Sequence, residues 1–335
     1  MKKIILSLAA LGLSACLAIA AKPVVRFHNG ELKILQLTDT HLKYEAPEEY
    51  TKTAARLDHV IKSEAPDFIV VTGDVVTGNR ETRDRMWDMV ISRLDAYKIP
   101  YAIVFGNHDH QGEITRPEMS AKIVAGRYNV NTLNGIGELA DMRIPVASSN
   151  GKTAPLDIYV MDSHAYCEEM GFSKDLGSYA WFTHDQVSWL RRECEASTAE
   201  HEGHHVPSLA FFHIPLVEYN VAWAGNATRI GVKGESGGEG KINSGMFAAM
   251  FETGNMMGVF AGHDHDSNYI IEHYGIALGY GGYSGDDTTY NHLAHGLRLI
   301  SVKEGVREFT TWIHDEDDRI QFKAVYKDGI LSKVK

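Results

Sequence analysis

From Lys33 onward the chain alternates short apolar runs with amphipathic stretches, and this alternation constrains the fold more than any other feature. Lys33–Thr38 reads as a strand. Ala54, Leu57, Val60 and Ile61 then form a helical stripe that stops near Glu64-Ala65-Pro66. Asp67–Thr72, with Phe68-Ile69-Val70-Val71, is a buried strand, Arg80–Tyr97 a helix with Met86, Met89, Val90 and Leu94 inward, and Tyr101–Phe105 a third strand. Strand, helix, strand, helix, strand in so short a span predicts an α/β fold whose sheet is parallel here. Further along, Leu156–Met161, Ser208–Phe212 and Met257–Phe260 read as strands, and Asp185–Ser197 and Ser244–Glu252 as helices. Beyond Gly262 the pattern is β-like at Tyr269–Ile271, Ile276–Leu278, Leu297–Val302 and Phe309–Ile313. Ile114–Gly151 is less regular and reads as an insertion beside the core. With no repeat, linker or low-complexity tract, the reading is one domain over residues 28–315, followed by a hairpin or tail over 316–335.

Five of the apolar runs end in a polar cluster: Asp39-Thr40-His41, Gly73-Asp74, Gly106-Asn107-His108-Asp109, His213 and Gly262-His263-Asp264-His265. The carboxyl ends of strands are where sites assemble in open α/β sheets. Each cluster alone is a weak signal, but five in the same topological position are not. The 17 histidines are the conspicuous feature of the composition, and imidazole combined with carboxylate and amide oxygen suits Zn²⁺, Mn²⁺ or Fe²⁺. Two such ions about 3.5–4 Å apart can share a carboxylate and a hydroxide. Only three cysteines occur, with no zinc-finger spacing, so a metal here must use histidine and carboxylate.

Together, Asp39-x-His41, Gly73-Asp74, Gly106-Asn107-His108-Asp109, His213 and Gly262-His263-x-His265 resemble the motif set of the calcineurin-like metallophosphoesterases, in family order, from about Leu32 to about Trp312. Phe211-Phe212-His213-Ile214-Pro215-Leu216-Val217-Glu218-Tyr219 and Gly279-Tyr280-Gly281-Gly282-Tyr283 are similar to the small purple-acid-phosphatase-like branch. The resemblance implies a four-layer α/β sandwich, with two mixed β-sheets packed together and helices outside. It implies two divalent transition-metal ions (Mn, Fe or Zn), one held by Asp39, His41 and His265, the other by Asn107, His213 and His263, with Asp74 bridging. His108 would protonate the leaving alkoxide or bind a phosphate oxygen. Asp109 would either orient His108 or serve only as a turn or helix-cap residue. The activity implied is hydrolysis of small phosphate monoesters by in-line attack of a hydroxide bridging the metals. A phosphodiesterase on the same site (cyclic nucleotide or phospholipid head group) is the alternative, and a non-catalytic surface binding protein a third reading. True purple acid phosphatases carry a tyrosine three residues after the bridging aspartate and Asp-x-Gly in place of Asp-x-His. Thr77 and His41 stand there in this chain, so a tyrosinate–iron colour is not expected.

Met1–Ala21 reads as an export signal: Lys2 and Lys3, then a nearly unbroken apolar Ile4–Leu13, too short for a membrane span. Leu13-Ser14-Ala15-Cys16 resembles a bacterial lipobox, which would make Cys16 a lipidated anchor. Ala18-Ile19-Ala20 fits ordinary cleavage instead. The protein is therefore expected outside the cytoplasm of a bacterium, periplasmic or membrane-anchored. Cys167 and Cys194 form either a disulfide or two buried thiols. With 33 basic against 44 acidic residues, a net charge of −11, duplex nucleic acid is a poor partner. Removing Met1–Ala21 takes away two lysines and no acid. Gly225–Gly245 holds seven glycines without a phosphate-loop pattern and reads as a lid or a surface loop. His201-Glu202-Gly203-His204-His205 and Asp315-Glu316-Asp317-Asp318 read as solvated segments. His110, His164, His184, His292 and His295 are given no role.

Overall fold

Phe68-Ile69-Val70-Val71 is apolar at every position because both faces of its strand are covered. In the computed structural model, which describes residues 22–111, 114–286 and 293–334, Phe68 and Val70 enter a core between two sheets. Ile69 and Val71 enter a second core beneath helices. The first sheet runs β14 (Ile330–Lys333), β13 (Ile320–Lys327), β12 (Glu308–Asp315), β11 (Gly296–Lys303), β1 (Glu31–Leu37), β2 (Phe68–Thr72) and β3 (Tyr101–Val104). Its parallel pairings are β1 with β2 and β2 with β3, with Ile34 opposite Phe68 and Ile69 opposite Tyr101. The second sheet runs β4 (Met142–Val146), β5 (Leu156–Val160), β6 (Ser208–Phe211), β8 (Met256–Ala261), β10 (Ile276–Tyr280), β9 (Ser267–His273) and β7 (Arg229–Lys233). Here β5, β6, β8 and β10 are parallel.

Helices α1 (Pro47–Glu64), α2 (Arg83–Tyr97) and α3 (Arg116–Ala125) lie on the outer face of the first sheet. They contribute Leu57, Val60, Met86, Trp87, Val90, Leu94, Met119 and Ile123 to that core. Helices α4 (His184–Glu200), α5 (Glu218–Ala224) and α6 (Met246–Thr253) cover the second sheet. The result is the four-layer sandwich, two mixed sheets between two helical layers. No helix among the described residues is long and apolar enough to cross a membrane.

Ile114–Gly151 is not an insertion beside the core. It supplies α3, started by a Thr115/Glu118 capping box, and the edge strand β4. The carboxyl-terminal hairpin turns at Asp328-Gly329, pairs with β12, and buries Ala324, Tyr326 and Leu331 between the sheets. Cys167 and Cys194 are both buried free thiols. The Met1–Ala21 segment with Cys16, and His292, lie outside the described residues.

Candidate metal centre

The parallel strands of both sheets end on one rim, and the five polar clusters meet there. Asp39 and His41 follow β1, Asp74 follows β2, and Asn107 and His108 follow β3. His213 follows β6, and His263 and His265 follow β8. The loops continue their strands: the Asp39 N–H donates to the Gly73 carbonyl at 3.0 Å, His41 to Asp74 at 2.9 Å and Leu42 to Val75 at 2.9 Å. Asp39, His41, Asp74 and His263 all have left-handed backbones, φ 52°, 43°, 50° and 76°. Such non-glycine conformations collect at functional sites because surrounding contacts must hold them. Gly106 is required by crowding: a Cβ there would lie 2.2 Å from Asp74 Oδ1.

Two three-donor clusters result. Asp39, His41 and His265 bring their ligand atoms within 4.8 Å of one another, and so do Asp74, His213 and His263. His41 Nε2 is 3.0 Å from His265 Nε2, and His265 Nε2 is 3.5 Å from Asp39 Oδ1. His213 Nε2 is 3.2 Å from both Asp74 Oδ2 and His263 Nδ1. Donors held at about 2.0–2.2 Å from one ion sit roughly 3–3.5 Å apart, so these spacings fit a coordinated cation. Asp74 Oδ2 is also 3.8 Å from His41 Nε2, which puts this oxygen between the two clusters. Asn107 Oδ1 faces His213 Nε2 at 3.1 Å. His213 Nδ1 donates to the Thr72 carbonyl at 2.7 Å, which aims its other nitrogen into the centre.

The electrostatics agree with a cation. Asp39 and Asp74 are each 2% exposed, and among the described residues no lysine or arginine pairs with either. A buried carboxylate needs a compensating positive charge. In the metal-free chain histidines supply it. Burial alone would raise both carboxyls, but His265 holds Asp39 low and His213 with His41 holds Asp74 well below the carboxylate range. Burial would lower His213 too, yet the Asp74 carboxylate lifts it to about 10. Burial depresses His41 to about 4 and His263 to about 3.

His108 is half-buried beside the centre. Its backbone N–H donates to Asp74 Oδ1 at 2.8 Å and its ring lies 5.6 Å from that of His41. Its Nδ1 pairs with Gln111 Oε1 at 2.9 Å, and Gln111 Nε2 in turn donates to the Tyr166 hydroxyl at 3.1 Å. That hydroxyl also accepts from Asn107 Nδ2 at 3.0 Å. Gln111 carries no signal in the sequence beyond proximity to the motif, and Tyr166, 55 residues further on, carries none. Asp109, read as a candidate orienter of His108, does not face it. The fully buried carboxylate accepts backbone N–H groups of Gly106 (2.7 Å), Val75 (2.8 Å), Asp74 (2.9 Å) and Val76 (3.1 Å), fastening the β2 and β3 loops together.

Asp264, between the two metal-loop histidines, accepts from the Tyr280 hydroxyl at 2.6 Å and from Gly238 N–H at 2.9 Å; burial pushes it up to about 7. The glycine-rich segment is thus fixed against this loop, and it contains β7. Thr77, at the purple-type tyrosine position, donates its hydroxyl to the His41 carbonyl. His265 stacks on Tyr283, with ring centroids 4.5 Å apart. Tyr283 in turn meets His295 edge-on.

The calcineurin-like phosphoesterase family profile matches residues 32–267, more than half of the chain. The chain belongs to that family, and its two three-donor clusters are groups that could each hold a metal ion. Among its relatives, probable inactive purple acid phosphatase 29 of Arabidopsis thaliana is 31% identical over 83% of this chain and 78% of the relative. Probable inactive purple acid phosphatase 14 of the same plant is 30% identical over 78% of this chain and 72% of the relative. Among solved structures, a dimetal phosphatase from Danio rerio shares the fold with a TM-score of 0.58 at 11% identity, covering 89% of this chain and 99% of that one.

Proposed function

We propose that this chain is an exported phosphomonoesterase whose two ions are held by Asp39, His41 and His265 on one side and Asn107, His213 and His263 on the other. The observation that supports a two-ion centre is Asp74 Oδ2, which lies 3.2 Å from His213 Nε2 and 3.8 Å from His41 Nε2 and so between the two donor sets. Mn²⁺, Fe²⁺ or Zn²⁺ bound there would supply a water of lowered pKa and would neutralise phosphoryl oxygens. The chain's own residues do the rest. His213 is fixed by the Thr72 carbonyl, and Asp74 is fixed by the His108 N–H. Gln111 occupies His108 Nδ1 and leaves Nε2 to meet the ester oxygen and donate a proton to the departing alkoxide.

The plant relatives are named as inactive, but this chain keeps every position of the motif set, including His108. The acidic balance supports a small ester rather than a duplex nucleic acid as substrate. Export rests on Lys2, Lys3 and the apolar Ile4–Leu13, and lipid anchoring on Leu13-Ser14-Ala15-Cys16. The metal-loaded chain should hydrolyse p-nitrophenyl phosphate faster than bis-p-nitrophenyl phosphate. The reverse preference would make it a diesterase. Hydrolysis of neither, nor of a broad phosphate panel, with two ions bound would make it a binding protein. Asp74→Asn should lose at least one ion.

A further inference from the structure

Away from the rim, the acidic turn after β12 is solvated, yet its side chains are engaged. Asp318, with a left-handed backbone at φ 64°, reaches two histidines from different elements. Its Oδ1 is 2.7 Å from His314 Nε2 on β12 and 2.9 Å from His59 Nε2 on α1. The three ligand atoms lie within 4.8 Å of one another, and the imidazole rings meet edge-on at 5.9 Å. The far nitrogen of His314, Nδ1, is 3.0 Å from Glu64 Oε1. Glu64 is itself held by Trp312 Nε1 at 3.0 Å and Lys33 Nζ at 3.5 Å. A carboxylate behind a histidine, fixing the tautomer that presents Nε2, is the usual backing of a metal-ligating imidazole. The turn is shaped independently: Asp315 Oδ1 accepts the N–H groups of Asp317 at 3.0 Å and Arg319 at 2.9 Å. His314 is buried, while His59 and Asp318 are exposed, so water has access to complete the coordination.

We infer that His59, His314 and Asp318 form a further divalent-metal site, separate from the dimetal centre, that clamps the middle of α1 to the β12–β13 turn. Two imidazoles and one carboxylate select a borderline ion such as Zn²⁺ or Cu²⁺ and disfavour Ca²⁺ and Mg²⁺, which require a shell of oxygens. The test uses the full chain, stripped with chelator, reloaded with excess Zn²⁺ and desalted, with zinc counted per chain. The parent should retain one zinc more than His59→Ala or Asp318→Asn, both substitutions at exposed side chains. Glu64→Gln should weaken that ion by about 10–100-fold. Zinc should also raise the unfolding midpoint further in the parent than in either exposed-site variant. Equal zinc counts in the parent and both variants overturn the site. So does an equal rise in midpoint, which assigns all of the stabilisation to the buried centre.

Discussion

Asp109 offers the sharpest test of how the site is built. Its carboxylate accepts four buried backbone N–H groups, three from the β2 loop and one from Gly106. Hydrogen bonds to a charged acceptor contribute about 1.5–3 kcal/mol each. Four in full would exceed what one substitution ordinarily costs, because the loops relax and water enters. For Asp109→Ala we expect ~4 kcal/mol of lost stability. Asp109→Asn keeps one acceptor oxygen and turns an NH₂ toward two of the donors, so about half that loss, ~2 kcal/mol, is expected. Because Asp74 N–H is one of the four donors, both variants should also release metal. Urea unfolding of each chain, paired with metal counting, measures both effects. The reasoning fails if Asp109→Ala unfolds within ~1 kcal/mol of the parent, keeps two ions, and yet loses hydrolysis. That pattern would return Asp109 to the role of orienting His108.

Two further outcomes follow from the same geometry. His108→Ala should slow turnover by about 10²–10⁴-fold with metal content unchanged, and Gln111→Ala should slow it less, through kcat and again with metal content unchanged. Rescue of kcat by Gln111→Glu, another acceptor for Nδ1, separates positioning from general disruption. The metal-free chain should be most stable near pH 6.5. Below that, His41 and His263, depressed by burial to about 4 and 3, stay neutral while the unfolded chain takes up protons, so stability falls with falling pH. Above it, His213, raised to about 10, keeps a proton the unfolded chain has lost, so stability falls with rising pH. Unfolding midpoints of the chelated chain from pH 4 to 10 check this; a flat profile would contradict it.

The sequence showed what depends on runs of neighbours. β2 is legible because its run is uniformly apolar, and Asp74 because a glycine and a strand end precede it. β7 is not: as an edge strand it pairs only with β9, carries Gly231, and buries only Ile230, so neither apolar period nor length marks it. α3 was hidden by a thin apolar stripe, Met119 and Ile123, although its capping box was readable. The role of Asp109 was invisible for a different reason. Three of its four donors lie 33 to 35 residues earlier, and nothing local distinguishes it from a turn aspartate. Gln111 and Tyr166, 55 residues apart, were missed for the same reason.

Local patterning also could not say that the strands carrying the motifs belong to two sheets, and this is what gives the centre its character. Each three-donor cluster mixes them: Asp39 and His41 from the first sheet meet His265 from the second, and Asp74 from the first meets His213 and His263 from the second. The seam is closed by His213 donating to the Thr72 carbonyl, and by Gln36 Nε2 donating to both Thr72 Oγ1 at 2.9 Å and the Ala261 carbonyl at 3.0 Å. It is close enough that a Cβ on Gly262 would lie 2.1 Å from Thr38 Oγ1. The spacing of the donors is therefore set by how the inter-sheet core packs, through Phe211, Phe260 and Ile34, and not by the loops alone. Any change that slides one sheet over the other separates the donors of both clusters at once. Metal affinity and the docking of the two sheets are two readings of one free energy.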